Sequence, residues 1–354
     1  MEFLSYNNHV LSLGLKQKSL WPLAEKYTSP VYIYDLDFLA DRAQKLQKAF
    51  AARKGLLSPL QVFYAMKANS NIEVLKTLKN QGCGADVVSA GEILRAKEAG
   101  IDGAQMVYSG VGKTVRELTL ALENKVDQIN IESLPELLRI IDIVKQRPQL
   151  GPAQVALRIN PDISIETHPY ITTGLKENKF GMEISLIPEL VQVLKDNLPS
   201  VTLVGLSLHL GSQMLELSSF DDALLKMKAI YLDLQKSFST LQRFDFGGGL
   251  GIFYDRSDLA LEESLLQDYA KIVEKHFADM PVQLQTEPGR WLVGHAGVLL
   301  TQVQYIKKTP HKTFAIVDTG MHHLMRPSLY QSEHRILPLK TTASSLQAEY
   351  DAKE

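Results

Sequence analysis

The sequence has 354 residues, 45% of them hydrophobic and 22% charged, with a formal net charge of −2. That balance offers no field to recruit nucleic acid or anionic lipid. No apolar run approaches the ~18 residues of a membrane span, and Met1–Val10 lacks the basic-then-apolar pattern of a secretory signal. A single cysteine, Cys83, excludes a disulfide framework and a cysteine metal cluster. The composition reads as that of a soluble, cytoplasmic protein, long enough for a barrel-sized domain and a smaller one.

Residues 1–30 are a mixed leader in which Val10–Leu15 reads as a strand and Trp21-Pro22-Leu23-Ala24 as the start of a short helix. Val31–Tyr34 is a β-rich run, followed by an amphipathic stretch from Leu36 to about Arg53. The segment Gln61–Ser70 then delivers a lysine, Lys67, at the end of a mostly apolar strand, Val62–Met66. An ammonium at such a place is partly desolvated, which favours the neutral amine that a Schiff base requires. The plainer alternative is a lysine that snorkels outward from a strand end.

From residue 62 short apolar runs recur: Val62–Met66, Ala85–Val88, Met106–Tyr108, Gln128–Ile131, Val155–Ile159, Val201–Leu210, Arg243–Phe246 and Val282–Gln285. Helix-like segments separate them, several opened by a capping box: Ser70/Glu73, Ser89/Glu92, Thr114/Glu117 and Ser133/Glu136. Leu134, Leu137, Leu138, Ile141 and Val144 follow helical spacing, as do Val115, Leu118 and Leu122. Eight strands alternating with helices over about 225 residues predict an α/β fold, a (β/α)8 TIM barrel, rather than a doubly wound open sheet. From about His295 the strand-like runs Gly297–Ile306 and Thr313–Val317 follow without helices, so a β-domain is expected there, with residues 1–30 contributing.

Barrel active sites lie at the C-terminal ends of the strands. Chemically capable residues gather just there: Lys67; Arg158 and Asn160; His209 through Gln213; Gly247–Gly251; and Glu287 to Arg290. The glycine run permits backbone N–H groups to converge on an anion, with Gly289 and the N–H of Arg290 completing the cradle. It equally suits a tight turn that needs positive φ. His209 ends an almost wholly apolar run, where a histidine is either packed in the core or faces a ligand across Gly211. Glu287, ending an apolar strand, needs a cationic partner, either Arg290 or a protonated heterocycle. No second histidine stands at metal-ligand spacing; His322-His323 are adjacent, as on opposite faces of a strand, and no metal site is expected. Together a Schiff-base lysine, a phosphate cradle, a buried carboxylate and a planar side chain match the needs of pyridoxal 5′-phosphate.

The chain resembles the fold-type III, pyridoxal-phosphate-dependent decarboxylases of basic amino acids, the diaminopimelate branch above all. The resemblance runs from about residue 25 to about 338 and includes FYAMKAN, GADVVSAGE, YSGVGKT, LHLGSQ, FDFGGGLG, EPGR, VDTGM and MRPSLY. Thr167–Gly181, THPYITTGLKENKFG, is what favours the diaminopimelate branch over ornithine, arginine or carboxylated-polyamine enzymes.

The resemblance implies an alanine-racemase-like barrel over 31–294 that binds pyridoxal phosphate, with residues 1–30 and 295–354 forming a partial β-domain. It implies that Lys67 binds the cofactor covalently, His209 stacks on its ring and Glu287 meets its pyridine nitrogen. Ser212, Gly248, Gly249, Gly289 and Arg290 surround the phosphate or the substrate, and Asp86 and Arg158 line the pocket. Arg290, Arg326 and Tyr330 bind the distal end of the substrate. The implied reaction removes CO2 from meso-2,6-diaminopimelate to leave L-lysine, in a cytoplasmic homodimer. Two departures stand out. His322-His323 replace the usual Asn-Asp, and the chain stops at Glu354, where the family continues with Cys-x-Ser-x-Asp and later Gly-Ala-Tyr segments. An incomplete β-domain is therefore expected, and a truncated homologue that binds the cofactor without turnover is the alternative.

Overall fold

The structure, a computed structural model, describes residues 3–163, 179–254 and 259–341. Most of the Thr167–Gly181 segment lies outside the described residues. The chain forms two compact units, one of Met1–Phe38, Phe253–Glu263 and Gly294–Glu354, the other of Leu39–Ile252 and Ser264–Val293.

The second unit is the predicted barrel. Its strands are β1 (Gln61–Ala65), β2 (Gly84–Val87), β3 (Met106–Tyr108), β4 (Gln128–Ile131), β5 (Ala153–Asn160), β6 (Val201–Ser207), β7 (Arg243–Asp245) and β8 (Gln283–Thr286). Each pairs in parallel with the next, and β8 closes on β1 through Gln285↔Gln61 and Thr286↔Val62. An extra two-residue strand, Met182–Glu183, adds to β5. All eight predicted strands are present. The strand within the run Val201–Leu210 ends at Ser207, three residues early, with the Leu208 N–H making its last bond to β7 at the Asp245 carbonyl (3.0 Å).

The intervening helices begin largely where their caps predict. Thr114 and Glu117 form a reciprocal capping box. Ser89 and Ser133 each accept from the residue three ahead, but their Glu partners turn elsewhere, Glu92 to the Val88 N–H and Glu136 to Lys113. The first box is corrected: Asn71, not Ser70, caps Ile72–Asn80, and the Ser70 hydroxyl accepts from Arg95 instead (2.9 Å). Asn is at least as good a cap as Ser, so a one-residue shift costs little. Helix Leu134–Gln146 buries Leu137, Ile140, Ile141 and Val144 against the barrel while Leu138 is 44% exposed. Val115, at the first helical position, is likewise exposed.

The other unit is built mainly from antiparallel strands. Leu4–Asn7, Val10–Leu13 and Lys18–Ser19 form one sheet, Val31–Tyr34 pairs with Gly297–Leu300, and Val303–Lys308 pairs with Thr313–Val317. The predicted short helix spans Trp21–Lys26. N- and C-terminal segments meet here: the Leu11 N–H donates to the Leu339 carbonyl (3.0 Å) and the Tyr6 hydroxyl to that of Pro338 (2.6 Å). His322 and His323 lie in a turn rather than on a strand, their rings 3.9 Å apart.

Cys83, joining helix Ile72–Asn80 to β2, is fully buried, and burial pushes its thiol up to about 12. A disulfide reagent at pH 8 should therefore leave the native protein unlabelled and react with one thiol only after denaturant unfolds the barrel. Fast labelling of the native protein would show that this joint is open.

Candidate active site

Every strand end contributes to one mouth. β1 runs into a single 3-10 turn, Met66–Ala68, that lifts Lys67 off the strand with its side chain 54% exposed. Its Nζ lies 3.5 Å from Oδ2 of Asp86, a fully buried carboxyl in β2. Desolvation pushes Lys67 down, as the sequence suggests, but the carboxylates of Asp86 and Glu287 outweigh it and the net direction is upward. In the free protein Lys67 is therefore an ammonium, and its activation needs a proton acceptor rather than burial alone.

Glu287 follows β8 and is buried. Its partners differ from the sequence expectation. Oε1 accepts from Ser109 Oγ (2.9 Å) and Asn130 Nδ2 (3.2 Å), while Arg290 turns Nη1 to Gln213 Oε1 (3.1 Å). Burial first, and the neighbouring Asp245 second, raise Glu287 to about 8. Asp245, fully buried at the end of β7, is raised to about 6 by burial, and Asp86 to about 7 by burial and then Glu287. Asp86 and Asp245 each keep a buried carboxyl oxygen, Oδ1 and Oδ2 respectively, with no hydrogen-bond partner by ordinary geometry among the described residues. Such oxygens call for a donor. Three carboxyls facing a single lysine fit a protonated nitrogen heterocycle.

His209, two residues past β6, accepts the Gly248 N–H at Nδ1 (3.2 Å), which leaves its proton on Nε2. Burial, then Arg158 and Lys67, lower it well below the usual histidine range, so the ring is neutral. The glycine run is tightly packed. Gly247 (φ +70°) and Gly249 (φ +98°) need positive φ, and a Cβ on Gly248 would lie 2.2 Å from the Glu287 carbonyl oxygen. The turn explanation thus holds. The anion explanation is left room as well, for the N–H groups of Gly249 and Gly289 make no hydrogen bond among the described residues. Gln213 ties this loop to its neighbour, its Oε1 accepting from Ile252 N–H (3.3 Å) and its Nε2 donating to the Ile252 carbonyl (2.5 Å). Ser212 is half-buried between Gly211 and Gln213.

Arg158 is buried in an ion pair with Glu132 (2.6 Å). Glu132 also accepts the N–H groups of Gly110 (3.1 Å) and Gly181 (2.7 Å), joining three loops at the mouth. Sequence reasoning missed Glu132, Ser109, Asn130 and Asp245. A signal existed for one of them: Asn130 alternates with Gln128 within an apolar run, and so both point to one face, inward. Lys113, in YSGVGKT, is structural, its buried Nζ bonding the carbonyls of Gly110 and Asn130 and the carboxylate of Glu136. Arg326 and Tyr330 belong to the other unit, on helix Arg326–Tyr330, with the Arg326 guanidinium 5.6 Å from the Tyr330 ring centroid.

A lysine, a neutral histidine, glycine N–H groups and buried carboxyls at the C-terminal mouth of a (β/α)8 barrel define a pyridoxal-phosphate site. The chain belongs to the pyridoxal-dependent decarboxylases: residues 41–294 match the family's pyridoxal binding domain. Within that class the likeness is to diaminopimelate decarboxylases. The enzyme of Aquifex aeolicus is 38% identical over 347 residues, covering 96% of this chain and 79% of the relative. That of Pseudomonas fluorescens is 43% identical over 316 residues, covering 89% and 73%. The crystal structure of diaminopimelate decarboxylase from Helicobacter pylori complexed with L-lysine superposes with a TM-score of 0.82 at 37% identity, over 90% of this chain and 78% of that one.

The raised carboxyls predict how the cofactor-free protein responds to pH. Asp86, Asp245 and Glu287 bind protons more tightly folded than unfolded, so each stabilises fully below its unfolded value and loses that stability as pH rises through the folded one. His209 has the opposite sign, weakening the fold only below about pH 6.5. Denaturant unfolding should accordingly show stability falling from pH 6.5 to 8.5, and Glu287→Gln should flatten the fall. A flat wild-type profile would contradict this arrangement of carboxyls.

Proposed function

We propose that this chain decarboxylates meso-2,6-diaminopimelate to L-lysine and CO2, using pyridoxal 5′-phosphate. The observation that carries the reading is the convergence of Lys67 and three buried carboxyls at one barrel mouth. It occurs in a chain about two-fifths identical to diaminopimelate decarboxylases, 38% and 43% in two cases.

The cofactor supplies an electron-accepting ring for the charge left at the α-carbon when CO2 departs. The protein's part can be followed group by group. Lys67 is the amine that holds the cofactor, and Asp86 Oδ2, 3.5 Å from Nζ, is placed to take its proton. Glu287 would meet the pyridine nitrogen, and in its ionised form would favour a proton there. His209, neutral and held through Nδ1, would lie against the ring and add no charge to compete with the carboxyls. The N–H groups of Gly249 and Gly289, with the Ser212 hydroxyl, receive the phosphate, and Gly248 lets the loop approach closely enough. Arg290, oriented by Gln213, binds a carboxylate of the substrate, for which a planar guanidinium offers two parallel donors. Arg158 fixes the pocket wall through Glu132. The assignment of Arg326 and Tyr330 to the substrate rests on the family likeness alone.

We place the protein in the cytoplasm as a homodimer. Its one thiol is buried and unpaired, and among the described residues no helix is long and apolar enough to cross a membrane. For dimer formation the support is the exposed apolar set Val303, Tyr305, Ile306 and Phe314 on one hairpin.

Lysine release from meso-diaminopimelate, followed with added pyridoxal phosphate, tests the reading. Turnover is expected from the wild type, none from Lys67→Ala, and a drop of at least about a hundredfold for Glu287→Gln, which replaces an ionisable partner with a neutral one. No turnover by a folded, yellow wild-type protein would refute the reaction and leave cofactor binding standing.

A further inference from the structure

Glu287 is not held by its neighbours at random. Oε1 accepts from both Ser109 Oγ (2.9 Å) and Asn130 Nδ2 (3.2 Å). Asn130 is itself fixed: its Oδ1 accepts from Gln128 Nε2 (2.9 Å), and its Nδ2 also donates to Ser109 Oγ (3.0 Å). The amide therefore cannot turn over without opposing two like groups. Because the Ser109 oxygen accepts a hydrogen bond from Asn130, its own hydroxyl is left to donate to Glu287. The close bonds run from Gln128 through Asn130 and Ser109 to Glu287 Oε1, while Ser109 and Asn130 also act on Asp86 and Asp245 beside it. All three residues are buried, none more than 4% exposed, so water does not compete with them. Donors of this kind favour the ionised carboxylate. Asp245 and Asp86, close by, push the other way.

We propose that Ser109, Asn130 and Gln128 are positioning residues that occupy Oε1 of Glu287 with donors and so favour its ionised form when Oε2 meets the ring nitrogen of the cofactor. They thereby set the preference of the site for a protonated pyridine over a neutral ring. The proposal rests on the assignment of pyridoxal phosphate to this mouth. It adds that specificity for the ring nitrogen resides in a polar layer of β3 and β4, behind the group that makes contact. A layer built only to fill the barrel floor would have no such bias of direction.

The test compares two ligands in the full chain: pyridoxal phosphate and its 1-deaza analogue, in which a C–H replaces the ring nitrogen. Dissociation constants are measured by equilibrium dialysis for the wild type, Ser109→Ala, Asn130→Ser and Ser109→Thr. The wild type should prefer pyridoxal phosphate by at least about tenfold, the scale of one hydrogen bond to a charged group. Ser109→Ala and Asn130→Ser should each erode that preference several-fold while leaving affinity for the deaza analogue unchanged, and Ser109→Thr, which keeps the hydroxyl, should restore it. If both ligands weaken in parallel in both variants, or the preference survives both substitutions, the residues are merely structural and the proposal falls. A wild type without preference overturns the pairing of Glu287 with the ring nitrogen, and this proposal with it. That failure is recognisable because it appears before any substitution is made. If either variant fails to fold, the other carries the comparison.

Discussion

A carboxylate inside a barrel must be met by donors or by a cation, and the core of this protein is arranged around that requirement. Three carboxyls, on Asp86, Asp245 and Glu287, come from one arc of the barrel, β7, β8 and β2 on either side of β1, and two of them, Asp86 and Glu287, share one partly exposed lysine. Left to themselves they retain protons, as their raised values indicate. A site so short of positive charge favours a guest that brings its own. Binding and protonation are thus two aspects of one electrostatic deficit.

The loops are fitted to this core with little freedom. The space that a side chain on Gly248 would need is already taken by the backbone after β8, so the glycine is fixed by the strand beside it as much as by any ligand. Gln213 and Glu132 work similarly at the rim, each spending its hydrogen bonds on the backbone of another loop. The Glu132–Arg158 pair is buried, where an ion pair is better at fixing an arrangement than at adding stability. The rim is consequently preorganised, which matters in a reaction whose difficulty lies in holding one bond of the substrate at a set angle.

Much of this was legible in the sequence because a parallel barrel repeats a simple signal. Its strands, buried on both faces, read as continuous apolar runs, and the serine and threonine caps between them mark where each helix begins. Strand ends followed, and with them Lys67, His209 and Glu287. The less legible part is polar and internal. Asn130 and Asp245 sit within or beside apolar runs where a single polar letter reads as noise, and Ser109 is one serine among many. Nor does a sequence say which donor a carboxylate will choose: Arg290, three residues from Glu287, was the obvious partner, yet Ser109 and Asn130, distant in the chain, took the role. Val31–Tyr34 reads like any barrel strand, but its partner is Gly297–Leu300, an antiparallel choice that only tertiary pairing decides.

The backbone bonds that tie Leu11 to Leu339 and His9 to Thr341 set a timetable as well as a shape. The Tyr6–Pro338 contact alone spans 332 residues of chain. While the polypeptide is being made, its first three strands can pair with one another, but their bonds to Pro338, Leu339 and Thr341 must wait until those residues have emerged. The strands and helices from residue 61 onward, by contrast, pair with near neighbours as they appear, and only the closure of β8 on β1 is long-range. Local contacts form fast and distant ones slowly. The barrel is therefore the unit that assembles progressively, whereas the strand-rich unit, though its hairpins are local, completes the bonds between its two ends only late. During that interval the backbone edge at His9–Leu11, which residues 339–341 later cover, is open to other chains. For such a topology the hazardous moment in the life of the protein falls during synthesis, before there is any site to protect.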